Sequence, residues 1–181
     1  MKHSRLTIGK LDLTAMALGL ALGAMAAVPA MASGSDSGST PTCAKGQVYD
    51  AKKKGCVKAE RGVLPDQQMT EYAYALAREG RYTEALGTLD LLADPNTPKA
   101  LNYRGYATRK LGRTDEGISY YLRSVALDPN YAQVREYLGE AYVIQGKLDL
   151  AKQQLTTIKS ICGTDCEEYE DLANAISSSK L

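Results

Sequence analysis

The sequence predicts an all-α fold: a right-handed helical solenoid of about three helix pairs, closed by a C-terminal capping helix and preceded by a small disulfide loop. Two observations carry that expectation. The segments REGRYTEAL (Arg78 to Leu86), KLGRTDEGI (Lys110 to Ile118) and IQGKLDLAK (Ile144 to Lys152) align on Gly80, Gly112 and Gly146, at spacings of 32 and 34. From Leu64 onward every apolar run has helical rather than alternating spacing. A period near 34 built from paired helices is the signature of a solenoid, in which each repeat buries its apolar face on its neighbours.

The elements follow in order. Residues 1–32 read as a secretory signal peptide: a basic start (MKHSR), an apolar run from Leu13 to Val28, and Ala30-Met31-Ala32 before the cleavage point after Ala32. Export to the periplasm is the expectation, with no membrane-spanning segment left after cleavage. Residues 33–42, rich in Ser and Gly, form a flexible linker. Residues 43–63 form a small basic segment in which Val48-Tyr49 begins a short strand, and residues 64–163 hold the repeats. Helices are expected over Asp66 to Glu79, Tyr82 to Leu92, Lys99 to Leu111, Asp115 to Leu127, Ala132 to Gln145 and Leu148 to Ile161. Residues 164–181 hold the cap and tail, the cap helix running from Asp165 to Ser177 with Tyr169, Leu172 and Ile176 on its apolar face.

Composition narrows the chemistry. Losing Lys2, Arg5, Lys10 and Asp12 with the signal takes the net charge from +1 to about −1, which gives no reason to expect nucleic acid. The lone histidine, His3, leaves too, so no His-based triad, imidazole ligand or His general base remains, and no enzyme activity is expected. Four cysteines stand in two close pairs. In an oxidising compartment the simplest of three connectivities joins Cys43 to Cys56 and Cys162 to Cys166 as structural bridges. Thiol redox chemistry at Cys162 and Cys166 is the alternative, although their spacing is not Cys-x-x-Cys. The spacing of Cys43 and Cys56 does not suit a four-Cys zinc site, so neither metal nor cofactor is expected. Lys52 to Lys54 make the front segment a candidate for contact with anionic cell wall.

At the repeats themselves the chain resembles the tetratricopeptide repeat (TPR) family, over about Pro65 to Ile161. The third repeat supplies Leu138-Gly139, Tyr142, Gly146, Ala151 and Leu155. The second supplies Leu101, Gly105, Gly112, Tyr121 and Asp128-Pro129, with Arg104, Thr108 and Gly117 where Leu, Tyr and Ala are usual; the first supplies Ala73, Leu76, Gly80, Tyr82, Ala85 and Leu89. Close crossing of the third pair is expected to use Gly139 against Ala151, with Gly146 as the turn.

The resemblance implies a noncatalytic adaptor that binds a peptide or helix of a cell-envelope protein on the inner face of each first helix. Carried over by position, the partner-binding residues are Tyr74 and Arg78 in the first repeat, then Lys99, Asn102, Tyr106, Arg109 and Lys110 in the second, and Glu136 and Glu140 in the third. A basic middle beside an acidic end suits a peptide of mixed charge. The family's carboxylate clamp is not expected, because Thr70, Tyr74, Tyr103, Gln133 and Tyr137 occupy its positions.

Overall fold

The computed structural model describes residues 41–179; the signal segment, most of the linker and the last two residues lie outside them. Strands β1 (Gln47–Asp50) and β2 (Gly55–Lys58) precede helices α1 (Asp66–Arg78), α2 (Tyr82–Leu89), α3 (Pro98–Lys110), α4 (Thr114–Leu127), α5 (Ala132–Ile144), α6 (Leu148–Cys162) and α7 (Glu167–Ser178). Helices α1/α2, α3/α4 and α5/α6 form the three pairs, and α7 packs on α5 and α6 as the cap. Among the described residues no helix is long and apolar enough to cross a membrane.

One turn geometry joins all three pairs. Gly80, Gly112 and Gly146 have φ of 78°, 84° and 71°, a left-handed conformation that costs glycine nothing. The next amide closes back five residues each time: Arg81 N–H donates to Leu76 O, Arg113 to Thr108 O and Lys147 to Tyr142 O. That bond satisfies a carbonyl the helix end would otherwise leave open, and the following helix starts at once. Recurrence of the glycine at a fixed offset therefore fixes where each pair folds over.

Inside the pairs, small residues set how closely helices approach. A Cβ on Gly105 would lie 2.6 Å from the Tyr121 ring and 3.0 Å from Gly117 O, and one on Gly117 would lie 2.9 Å from Gly105 O. Thus α3 and α4 touch backbone to backbone, and the Gly at 117 tightens that crossing. The third pair differs from expectation. What a Cβ on Gly139 would strike first is Leu172, at 2.5 Å, so this glycine makes room for the cap helix. Leu172 is fully buried there, a burial worth roughly 2 kcal/mol.

The core runs unbroken along the stack because tyrosines bridge its parts. Tyr106 packs against both the cluster around α1 to α3 and the one around Tyr121, Val134 and Leu138. Tyr142 then links that second cluster to Ala151, Ile158, Leu172 and Ile176 under the cap.

Residues 43–63 are not a detached module. β1 and β2 pair antiparallel with Val48 opposite Val57, and Val48 is fully buried in the first cluster. The Cys43 N–H donates to the Tyr72 hydroxyl at 2.7 Å, while Arg81 Nη2 donates to Cys43 O at 2.7 Å. Arg61 reaches further, donating to Leu92 O at 2.6 Å and Asp90 O at 2.9 Å. Those carbonyls lie just past α2, and the Asp66 carboxylate accepts from the Ala93 and Asp94 amides beside them. Captured from both sides, α2 stops at Leu89 instead of continuing to Leu92. The hairpin thus caps the first pair as α7 caps the third, while Lys52, Lys53 and Lys54 stay exposed at its tip.

Both cysteine pairs are bridged, Cys43 to Cys56 and Cys162 to Cys166. In the chain-entropy picture a loop closed across 13 positions is worth about 3 kcal/mol and one across four about 2 kcal/mol. The larger share falls on the hairpin, which has the smaller core of its own.

Candidate functional site

Aligned on their turn glycines, Tyr74, Tyr106 and Glu140 occupy one repeat position, and Thr70, Asn102 and Glu136 another. The first set is built into a row of aromatic rings. Tyr74 stacks on Tyr103 at 4.2 Å between centroids, meets Tyr106 edge-on at 6.2 Å, and shares a 3.0 Å hydroxyl contact with Tyr137. Tyr106 continues the row to Tyr137 at 5.0 Å and to Tyr82 at 6.4 Å. Tyr74, Tyr82 and Tyr106 are half-buried at the edge of this row, while Tyr103 and Tyr137 lie in the core behind them. Aromatic rings anchored this way offer contact area at little entropic cost, as binding hot spots require.

Cations of the chain sit over these rings. Arg78 lies 6.0 Å above Tyr74, and Lys110 lies 5.4 Å from the Tyr106 centroid. Both are exposed, as is Lys99, which pairs with Glu71 at 2.6 Å. Arg78, Lys99 and Lys110 form a basic rim along the first two repeats. At the other end stand Glu136 and Glu140 of α5 with Glu167, Glu168 and Asp171 of α7. Of the charges expected on this face, Arg78, Lys99 and Lys110 are exposed and Glu140 is partly exposed.

Three expected contact residues are instead inside the protein. Arg109 is 6% exposed, donates to the Tyr121 hydroxyl at 3.2 Å and to Glu140 Oε2 at 2.7 Å, and lies over both Tyr106 and Tyr137. Burial opposes its charge, but Tyr121 and Glu140 outweigh that and hold it protonated. Asn102, fully buried, donates through Nδ2 to the Tyr131 hydroxyl and to Gln133 Oε1, each at 3.1 Å. Glu136 is 6% exposed. The following repeat covers Asn102 and Arg109, so reversing the charge of Arg109 would disrupt the core and does not report on binding. Tyr103, Tyr131 and Tyr137, which complete the aromatic row and its backing, were not expected as site residues. Their signal was present in the repeat: Tyr103 and Tyr137 are 34 apart and precede Tyr106 and Glu140 by three.

Burial, then the negative charges of Glu140, Asp171, Glu168 and Glu167, push the Glu136 carboxyl up to about 8. Its sign for stability follows. Between about 4.5 and 8 the unfolded chain has released this proton while the folded chain keeps it, so stability falls as pH rises across that window. The urea midpoint is expected to drop between pH 5 and pH 9, and Glu136→Gln to flatten that drop. A wild-type midpoint unchanged over this range would contradict the placement of Glu136.

The Cys162 and Cys166 sulfurs and a Glu168 oxygen lie within 4.8 Å of one another. Since the two sulfurs are bonded together, neither is a thiolate donor for a metal in this form.

Fold and face together define a helical-repeat protein with an aromatic inner surface. The tetratricopeptide repeat family profile matches residues 120–153. The chain is similar to the first TPR of Spaghetti (RPAP3) bound to an HSP90 peptide, with TM-score 0.55, 22% identity, and coverage of 64% of this chain and 92% of that one. It is also similar to the Yersinia enterocolitica type III secretion chaperone SycD in complex with a peptide of the translocator YopD, with TM-score 0.52, 18% identity, and coverage of 66% and 93%. For MamA the values are 0.53, 20%, 64% and 69%. No curated protein matches the chain in sequence. The chain has the fold of tetratricopeptide repeat domains, and residues 120–153 also match that family's profile.

Proposed function

We propose that this protein is a noncatalytic adaptor, exported to the periplasm, which holds a peptide or helix of a cell-envelope protein on its inner face. The observation that carries the reading is the tyrosine row from Tyr74 through Tyr106 to Tyr137, basic along the first two repeats and acidic at the third. A surface of fixed rings flanked by opposite charges selects an extended or helical segment of mixed charge. Support comes from similar folds that were solved with peptides bound, the RPAP3 repeat and SycD. Export draws support from the basic and apolar layout of residues 1–32 and from two bridges of the kind that persist in oxidising compartments. The docked hairpin leaves its lysines free to touch wall polymer as a secondary contact.

The test uses Arg78→Glu and Lys110→Glu together, since both residues are exposed and their reversal spares the core. Tagged protein is incubated with periplasmic extract, and the captured partner is then titrated against wild type and variant. Loss of about tenfold or more in affinity, with an unchanged melting temperature, is expected for two rim charges acting on one ligand. Equal affinity for both proteins would remove the groove assignment.

A further inference from the structure

A cleft of about 280 Å³ opens between the hairpin and α2. Leu76, Ala59, Leu91 and Gly87 give it apolar walls, and none of the tyrosines of the inner face lines it. Gly87 has no other evident reason to be glycine. Among the glycines of the helix pairs, Gly80, Gly112 and Gly146 turn with positive φ, while Gly105, Gly117 and Gly139 lie under close neighbours. Gly87 does neither: its φ is not positive, and nothing lies within 4 Å of where its Cβ would stand. Inside α2 it costs the helix about 1 kcal/mol relative to Ala. What the missing side chain leaves is open space in the cleft.

The polar groups of the lining are unequal. Glu84 accepts from Arg81 Nε and Nη2, both at 2.9 Å, so its charge is answered within the fold. Lys45 is exposed and makes no ion pair among the described residues, which leaves a positive charge beside apolar walls. Gln47 and Thr83, also exposed, add an amide and a hydroxyl. That combination suits a ligand with an apolar body and an anionic head. Size narrows the body. An apolar cavity of about 150 Å³ holds benzene, or about one non-hydrogen atom per 25 Å³, so this cleft has room for about eleven. A leucine side chain, with four, would leave more than half of it unfilled; an eight-carbon acid, with ten, matches it.

We propose that the cleft between the hairpin and α2 binds a medium-chain fatty acid. Its alkyl chain lies along Leu76, Ala59 and Leu91 in the space left by Gly87, and its carboxylate accepts from the Lys45 ammonium, with Gln47 and Thr83 as further donors. The site is separate from the tyrosine row, and its ligand is not the peptide assigned to that face.

Titrating octanoate into the isotopically labelled full chain, followed by amide NMR shifts, tests this. Shifts are expected to centre on Gly46 and Gly87. Octanamide, which keeps the chain but not the charge, should bind about tenfold more weakly, and so should octanoate to Lys45→Glu, as expected for the loss of a charge-assisted hydrogen bond. Gly87→Leu fills the cleft and should abolish binding, yet it should melt at or above the wild-type temperature because leucine is the better helix former. Unchanged octanoate affinity in Gly87→Leu, or shifts centred on the tyrosine row, would overturn the site. Equal affinity for octanoate and octanamide would overturn the role of Lys45. Binding of N-acetylleucine without binding of octanoate would overturn the fatty acid and give the cleft to a peptide C-terminus instead.

Discussion

Arg109→Ala is expected to destabilise the folded chain by about 3 kcal/mol, lowering its melting temperature by roughly 10 °C. The Arg109 side chain is 4% exposed and serves four residues at once: Tyr121, Glu140 and the ring faces of Tyr106 and Tyr137. Truncation strands the hydroxyl of Tyr121, a fully buried residue, at a cost of about 1 to 3 kcal/mol. It also removes a stem packed between two rings. Glu140 is 29% exposed and recovers some hydration, which keeps the loss near the low end of the range for a broken buried pair. Lysine at 109 should rescue only partly, because it lacks the fork that reaches Tyr121 and Glu140 together. The neighbouring Lys110→Ala supplies the control, since Lys110 is exposed and its loss should stay within about 0.5 kcal/mol. An Arg109→Ala melting temperature within about 2 °C of wild type would show that the buried network does not hold the second and third repeats together.

These adjacent cations show what the sequence reveals and what it leaves out. Helix existence was legible throughout, because amphipathic spacing and the left-handed glycines are local properties: α5 was expected from Ala132 to Gln145 and runs from Ala132 to Ile144. The inner face was legible as a set of positions as well. Which of those positions meet water was not, because that depends on how far the next repeat rotates over the last one. Asn102 and Arg109 are engaged by residues of α5 and its N-cap in the next repeat, whereas Lys99 and Lys110 stand near the ends of α3 and stay exposed. Long-range capture is equally silent in a local pattern. Arg61 shortens α2 from about 30 residues away, and nothing near Leu89 announces it. Gly139 also carried half of its meaning: a small residue was needed, but its occupant, Leu172, comes from the cap helix rather than from the paired one.

Glycine placement yields the second large effect, and here the sign itself changes with position. In an exposed helix Ala is preferred to Gly by about 1 kcal/mol. Gly87 lies exposed in α2 with nothing within 4 Å of where a Cβ would stand. Gly87→Ala is therefore expected to stabilise the chain by about 0.5 to 1 kcal/mol. Gly105 in α3 has the same intrinsic preference, yet its Cβ would stand 2.6 Å from the ring of Tyr121 and 3.0 Å from the Gly117 carbonyl. Neither neighbour yields easily: the Tyr121 hydroxyl is held by Arg109, and the carbonyl belongs to the helix backbone. Moving α4 outward would in turn loosen the Arg109 and Glu140 bonds that tie this pair to the next. Overpacking at such a site costs about 1 to 3 kcal/mol net, so Gly105→Ala should lower the urea midpoint while Gly87→Ala raises it. Double substitution should give the sum of the two, since the sites share no partner. Were both variants to shift the midpoint upward together, helix propensity alone would govern these positions, and the close crossing of α3 and α4 would have no energetic weight.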